Sequence, residues 1–364
     1  MTSDLLPLRK LMARQDLTRA ESADLLEDLL RHDTEGLKLL AFSVASQTKG
    51  ETIEELLGMW DAFHRLTGDY PLDLAGRRPM EVSSSGASGV RKINVSTLTA
   101  LIAGDPQVPV IKHSFWKVTG IAGSADVLQA VGIFAPAVSI EQVQRAIDDV
   151  GVAFYSPLFV SRELSNLTNF GRLLAEKQIG VSTPFHLMAP IYTPIPIVYR
   201  MFGLNNAAQF EMLTELFRGI GFRNGLLVQG SDHLDEATVA GPSRVRGYRG
   251  GADGEAFDFQ LTPESAGLAS APPEAIVATD AHANTRDFLR IAHGLETGPK
   301  RDLVALNAGL ALWISERAGS VGEGVREALR RLESGEVREK LRRLVELTGD
   351  VEVLRAAERE HLAT

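Results

Sequence analysis

Apolar positions recur at helical spacing through the first 70 residues. In LTRAESADLLEDLL, Leu25, Leu26, Leu29 and Leu30 form one stripe, and Leu37, Leu40, Ala41 and Val44 repeat the i, i+3, i+4, i+7 spacing. Thr18 with Glu21, and Thr52 with Glu55, have the spacing of capping boxes, so each pair starts a helix. Short helices with short links predict a small helical domain. Prolines and a glycine between Tyr70 and Pro79 mark a hinge or linker. Beyond it the period changes. Residues 108–111 read as a buried strand and 124–131 open a helix. An amphipathic helix follows over 138–150, with Ser139 as its cap and Ile140, Val143, Ile147 and Val150 on one face. Residues 151–157 read as a strand running into a loop, 158–180 as helical, and 225–229 as another strand. From 321 to 358 the chain is mostly helical and highly charged, which predicts an outer layer.

The chain of 364 residues is long enough for one large or two unequal domains. With 44% hydrophobic and 23% charged residues and no low-complexity tract, it has the composition of a soluble globular protein. No apolar run approaches the length of a membrane helix, and residues 1–14 lack the apolar core of a signal peptide. Cysteine is absent, which excludes disulfides, thiolate catalysis and Cys-ligated metals. A cytoplasmic enzyme is expected. The net charge of −9 argues against nucleic-acid binding by the whole surface. Local basic groups remain at Arg244, Arg246 and Arg249 and over 338–343. The second group is interleaved with Glu333, Glu336, Glu339 and Glu346, the pattern of a solvated, ion-paired helix face.

Two stretches carry chemistry. Lys112 and His113 end the first strand, and a loop with Gly120 and Gly123 then leads into a helix. A strand, a polar loop and a helix N-terminus gather free N–H groups and dipole where an open α/β sheet binds anions, although the same pattern also serves as plain architecture. In SDHLDE, Asp232, Asp235 and Glu236 follow the strand over 225–229. Carboxylates at the carboxyl end of a parallel strand suit Mg²⁺ held against a diphosphate, although a bare LDE is far more often a solvated turn.

The stretch VPVIKH followed by GSADVLQAVG resembles the central segment of the anthranilate phosphoribosyltransferase family. That segment reads V-x-V-x-K-H-G-N-x-x-x-S-S-x-x-G-S-A-D-x-L-E-A-L-G, and Lys112, His113, Gly123, Ser124, Ala125, Asp126, Leu128, Ala130 and Gly132 match it. KGETIEELLG resembles the family's KGET-x-EEL-x-G, and Asn94, Val95, Ser96 and Thr97 match the N-x-S-T of its T-F-N-I-S-T. Gly180, Thr183, Phe185, Leu187, Pro190 and Pro194 match G-I-R-T-I-F-N-L-L-G-P-L-T-N-P. Asp235, Glu236, Gly241, Pro242 and Val245 match D-G-L-D-E-x-x-x-x-G-P-T-x-V, and LTPESAGL, GPKRD and LNAG match later segments, whose glycines and asparagine would let a helix pack tightly on the sheet.

The resemblance implies an α/β fold: a small N-terminal helical domain plus a large doubly wound α/β domain with a mainly parallel central sheet. The helical domain spans 1–75 and is joined by helices returning at about 160–205; 80–158 and 206–364 form the α/β domain, with the site in the cleft between. It further implies Mg²⁺-dependent transfer from phosphoribosyl pyrophosphate to a planar acceptor, as in tryptophan biosynthesis, and a homodimer through the helical domain. Ser84, Ser85, Gly86, Ala87, Ser88 and Gly89 occupy the place of the family's G-T-G-G-D-G loop. Small residues there form either an anion nest or simply a flexible loop. Asn94, Ser96 and Thr97 cap the next helix and can also donate to a phosphate. Lys112 would neutralise phosphate, Thr119 would contact the 5′-phosphate or the diphosphate, and Asp235 and Glu236 with Ser96 would hold the metal. The acceptor would fill the pocket near Phe115, Trp116 and His186, where His186 is alternatively a satisfied, partly buried histidine.

The departures concentrate at the acceptor. Phe115 replaces the asparagine that approaches the amine, His186 replaces another asparagine, and Glu176 stands where an arginine holds the acceptor's carboxylate. A carboxylate there would repel anthranilate. The alternative function is a non-catalytic, DNA-binding paralogue of the same fold, opposed by the retained Asp235–Glu236 pair and the acidic balance.

Overall fold

A computed structural model of the chain describes residues 5–86, 92–114, 123–156, 161–179 and 183–362. Four helices come first: α1 (Leu6–Met12), α2 (Arg19–His32), α3 (Leu37–Lys49) and α4 (Ile53–Thr67). Next are β1 (Met80–Ser84), α5 (Val95–Ala103), β2 (Val110–His113), α6 (Ser124–Ala130), α7 (Ile140–Asp149) and β3 (Val152–Tyr155). Two further helices, α8 (Arg162–Glu176) and α9 (Pro184–Met188), precede β4 (Tyr199–Gly203), α10 (Phe210–Ile220) and β5 (Asn224–Gly230). A hairpin of β6 (Ser243–Arg249) and β7 (Glu255–Leu261) leads into α11 (Ala281–Ala292) and α12 (Pro299–Ile314). The chain ends in α13 (Val321–Glu333), α14 (Glu336–Thr348) and α15 (Val351–Leu362). It divides into two compact units: Met1–Pro71, Ser156–Pro196 and Glu215–Ile220 form a helical unit, and the remainder an α/β unit.

In the helical unit both capping boxes form. Glu21 N–H donates to Thr18 Oγ1 at 3.2 Å and Glu55 N–H to Thr52 Oγ1 at 3.3 Å, each with the reciprocal bond present. Glu55 also accepts from Leu17 N–H at 2.9 Å and pairs with Lys49 at 2.9 Å, so the KGET segment serves as a structural clasp. A Cβ on Gly58 would lie 2.4 Å from Arg19 O, so α4 sits directly on α2. The predicted stripe on α3 is corrected. Its buried face is Leu39, Phe42, Ser43, Ala45 and Ser46, while Leu37 and Val44 point outward at 62% and 43% exposure.

The α/β unit holds a seven-stranded sheet in the order β3-β2-β1-β4-β5-β6-β7. All pairings from β3 to β5 are parallel, and β5–β6 and β6–β7 are antiparallel. Strands β2, β3 and β4 are buried along their whole length, as parallel strands covered on both faces must be. Strand order reverses between β1 and β4, the switch point at whose carboxyl side open α/β sheets bind their ligands. The doubly wound, mainly parallel sheet and the helical N-terminal unit are those expected.

Two local expectations change. The strand predicted over 108–111 is Val110–His113, so Lys112 and His113 lie inside it, paired with Phe154 and Tyr155. The glycine in LNAG packs helix on helix rather than helix on sheet: a Cβ on Gly324 of α13 would lie 2.4 Å from Gly309 O of α12.

Candidate functional site

The carboxyl end of β5 is built to hold one carboxylate still. After Gly230 the chain turns on Asp232, whose carboxylate accepts from Leu234 N–H at 3.3 Å and from the Thr238 hydroxyl at 2.9 Å. Asn307 of α12 then grips Ala237, accepting its N–H at 3.0 Å and donating to its carbonyl at 2.9 Å. A Cβ on Gly203 would lie 1.8 Å from Asp235 O, so only glycine at the end of β4 lets this loop cross it. Asp235 is thereby fully buried and Glu236 nearly so. His233, which replaces the family's glycine, sits at φ +62° in the left-handed region. Relief of that strain should make His233→Gly more stable by about 1 kcal/mol in urea denaturation; a loss of stability would show that the imidazole contributes more than the backbone costs.

The Asp235 carboxylate gathers three donors. Ser85 Oγ donates to Oδ2 at 3.0 Å and Gly86 N–H to the same oxygen at 2.7 Å. Lys92 pairs through Nζ with Asp235 Oδ1 and with Glu236 Oε2. Burial pushes the Asp235 carboxyl up, but the Lys92 ammonium and the Ser85 and Gly86 bonds more than offset it and hold it below the usual range. Burial lowers the Lys92 ammonium below its ordinary value, against the pull of Asp235 and Asp232. The Lys92 backbone is fixed by a bridge to Val277, and two residues on, Asn94 N–H donates to Asn284 Oδ1 at 3.2 Å.

A second charged cluster lies across the three central strands. Glu81 of β1 stands opposite Arg200 of β4, both fully buried, and their side chains form an ion pair. Arg200 Nη2 donates to Ser83 Oγ at 2.7 Å. From β2, His113 N–H donates to Glu81 Oε1 at 3.2 Å and the His113 ring contacts the same carboxylate. Lys112 Nζ donates to His113 O at 3.3 Å. Burial pushes the Lys112 ammonium from its ordinary 10.5 to about 8; Glu81 raises it and Arg200 lowers it further.

The expected site residues divide as follows. Ser84 closes β1 and Gly86 follows with φ +66°, an exposed amide that donates to Asp235. Asn94 precedes α5 as its N-cap residue but makes no side-chain capping bond, which corrects that expectation. Thr97 is buried and its hydroxyl has no partner among the described residues. Ser96 is half-buried and makes no hydrogen bond to Asp235 or Glu236 among the described residues. His186 belongs to the helical unit. It is exposed, and Nδ1 accepts from Thr183 N–H at 3.0 Å as the third residue of a capping box, so its imidazole has a local structural task. Glu176 is exposed beside Arg172 at 3.9 Å. Gly89, Phe115, Trp116 and Thr119 lie outside the described residues.

The basic groups over 244–249 are already engaged. Arg244 and Arg246 pair with Asp258 across the hairpin at 2.8 and 3.0 Å, and Arg249 lies over the Trp313 ring. On α14, Lys340–Glu336 and Arg342–Glu346 form the expected i,i+4 pairs. Lys92, Glu81 and Arg200 escaped the sequence reading. For Lys92 a signal was present: KINVST set against T-F-N-I-S-T puts a lysine where the pattern has a threonine.

Comparison with known proteins bears on this geometry. Residues 77–338 match the family model described as glycosyl transferase family, a/b domain, and residues 8–66 match the glycosyl transferase family helical bundle domain. The anthranilate phosphoribosyltransferase of Rubrobacter xylanophilus is 32% identical over 341 residues, 94% of this chain and 96% of that protein. The enzyme of the same name from Methylobacterium radiotolerans is 32% identical over 344 residues, 94% and 96% of the two chains. The crystal structure of anthranilate phosphoribosyltransferase from Thermus thermophilus superposes with a TM-score of 0.82 at 28% identity, covering 94% of this chain and 99% of that one. The Saccharomyces cerevisiae enzyme, solved in complex with PRPP and Mg, shares the fold at 19% identity with a TM-score of 0.81, covering 94% and 97%. With both domain models matched in order along the chain, this protein belongs to the anthranilate phosphoribosyltransferase family of glycosyl transferases.

Proposed function

We propose that the protein is a Mg²⁺-dependent phosphoribosyltransferase that takes phosphoribosyl pyrophosphate as donor and a planar small molecule other than anthranilate as acceptor. The observation that carries this reading is the buried Asp235–Glu236 pair, with Asp235 oriented by Ser85 and Gly86 and both carboxylates in contact with one ammonium. Two adjacent carboxylates form an all-oxygen donor set suited to a hard divalent ion, and the Lys92 ammonium already marks the place as one that attracts a cation. Asp235 and Glu236 would hold Mg²⁺, with Ser96 as a further oxygen. Bound there, the metal would neutralise charge on the departing diphosphate.

The chain's own residues do the positioning. Ser84 and Gly89, joined by Asn94, Thr97 and Thr119, would bind phosphate oxygens, while the Gly86 N–H stays on Asp235. The Thr97 hydroxyl, which has no partner among the described residues, supports this, because a buried hydroxyl without a partner gains most from a ligand. Lys112 adds positive potential at the strand ends, and with a pKa of about 8 it is mostly protonated at neutral pH. Fixed donors and charges of this kind suit a reaction in which the C1–O bond loosens with little covalent help. In the helical unit, the carboxylate of Glu176 would disfavour an acceptor that carries a carboxylate of its own.

The same reading puts a homodimer contact on the helical unit. Leu6, Met12, Leu37 and Val44 of α1 and α3 are exposed apolar side chains on helices that pack together, which supports it. The function is tested by calorimetric binding of phosphoribosyl pyrophosphate with and without Mg²⁺, repeated on Asp235→Asn/Glu236→Gln. Metal-dependent binding that falls by about 100-fold or more in the double variant is expected. No donor binding to the unsubstituted protein under either condition overturns the reading.

A further inference from the structure

The proposed chemistry does not call for Lys92, and the family pattern has a threonine where it stands. We propose that Lys92 is a tethered counter-cation that occupies the metal position of the ligand-free protein, so that Mg²⁺ enters between Asp235 and Glu236 only as Lys92 withdraws. For metal and donor entering together, the inference rests on the function proposed above; for exclusion of metal from the free protein, it does not.

Three of the four carboxylate oxygens are already engaged. Asp235 Oδ2 accepts from Ser85 and Gly86, while Asp235 Oδ1 and Glu236 Oε2 both contact the Lys92 ammonium. The tether is short and anchored at its base by the bridge to Val277, which keeps the ammonium at high local concentration beside the pair. Lys92 carries 14% side-chain exposure, Asp235 none and Glu236 5%, so water screens these charges weakly. The pair and the ammonium sum to a single negative charge, with the Asp232 carboxylate also near enough to act on Lys92. A divalent ion placed beside the retained ammonium would set like charges in contact at a nearly dry site, a repulsion several times larger than at the surface. The arrangement therefore discriminates against metal alone. A diphosphate arriving with its metal supplies the missing negative charge and gives the ammonium a second anionic partner. Metal and donor would then bind as a unit.

The test titrates Mg²⁺ into the full ligand-free chain by calorimetry, with Mn²⁺ and its paramagnetic resonance signal as a second probe. The unsubstituted protein should show no saturable site in the millimolar range, and Lys92→Arg should behave the same way. Lys92→Thr should gain one saturable site, about tenfold tighter or more, and Lys92→Thr/Asp235→Asn should lose it again. Circular dichroism and thermal unfolding establish that each variant is folded, with Lys92→Gln replacing Lys92→Thr if that variant is not. Equal Mg²⁺ affinity in the unsubstituted protein and a folded Lys92→Thr or Lys92→Gln overturns the inference, as does a folded neutral variant that gains no metal. Phosphoribosyl pyrophosphate binding is read in a separate experiment. Its failure overturns the transferase reading and leaves the metal titration to judge Lys92.

Discussion

Glu81→Gln should cost the α/β unit about 3–5 kcal/mol, the largest single-residue loss expected in the protein. The substitution keeps the shape and removes the charge. Arg200, with no exposed surface, would then lose its ion-pair partner, and Lys112 would lose the one anion that raises its pKa. Desolvated charges left uncompensated are among the few causes of losses this large. Urea denaturation read out by circular dichroism measures the effect, and a loss below about 1 kcal/mol would mean that water reaches Arg200. The pH dependence has a definite sign. Burial pushes the Glu81 carboxyl up, but Arg200 and His113 pull it below its ordinary 4.5. A carboxyl depressed in the folded state stabilises the protein above that ordinary value, and its contribution is lost as the pH falls below it. Glu81→Gln should therefore flatten the acid limb of the stability curve.

Lys112→Met should act in the opposite direction and stabilise the protein by about 3 kcal/mol at pH 7. Burial brings the ammonium from 10.5 to about 8. At about 1.4 kcal/mol per pH unit, folding pays that penalty wherever the lysine is charged in both states. Between pH 8 and 10.5 the unfolded chain keeps its proton while the folded chain has released it, so stability rises with pH across this window. The groups acting on Lys112 are Glu81, Arg200 and its neighbour His113, and none of them is removed by the change. Thermal midpoints from pH 7 to 10 should climb less steeply in the variant. An unchanged slope would place the ammonium in water. A residue that burdens the fold by this much persists when it serves the ligand, so the same variant should weaken donor binding.

How much of this was legible in the chain depends on the range of the interactions involved. The helices were, because capping boxes and periodicity act within a few residues: Thr18, Thr52 and Ser139 cap as their spacing requires. The Asp235–Glu236 pair was legible as a motif. Strand β4 was not. Its sequence YRMFG contains an arginine that only a partner 119 residues away makes tolerable in a core. The exposed side of α3 was misread because the helix is apolar on two faces, and periodicity cannot say which of them finds the core. Lys92 escaped for the same reason as Arg200: its meaning lies in carboxylates that the chain reaches only 143 and 144 residues later.

The central place of β4 also dictates an order of events as the chain emerges from the ribosome. β1, β2 and β3 are contiguous in synthesis, but β1 keeps one naked edge until the chain has passed through α8 and α9 and delivered β4. Throughout that interval an apolar half-sheet with a buried-type glutamate at its rim must avoid pairing with other chains. Contacts of such high separation close slowly. The helical unit is split by the same interval, since α8 and α9 follow β3, so neither unit completes before the other begins. Folding should therefore be limited by the docking of β4 into its slot, with aggregation of the nascent half-sheet as the competing fate.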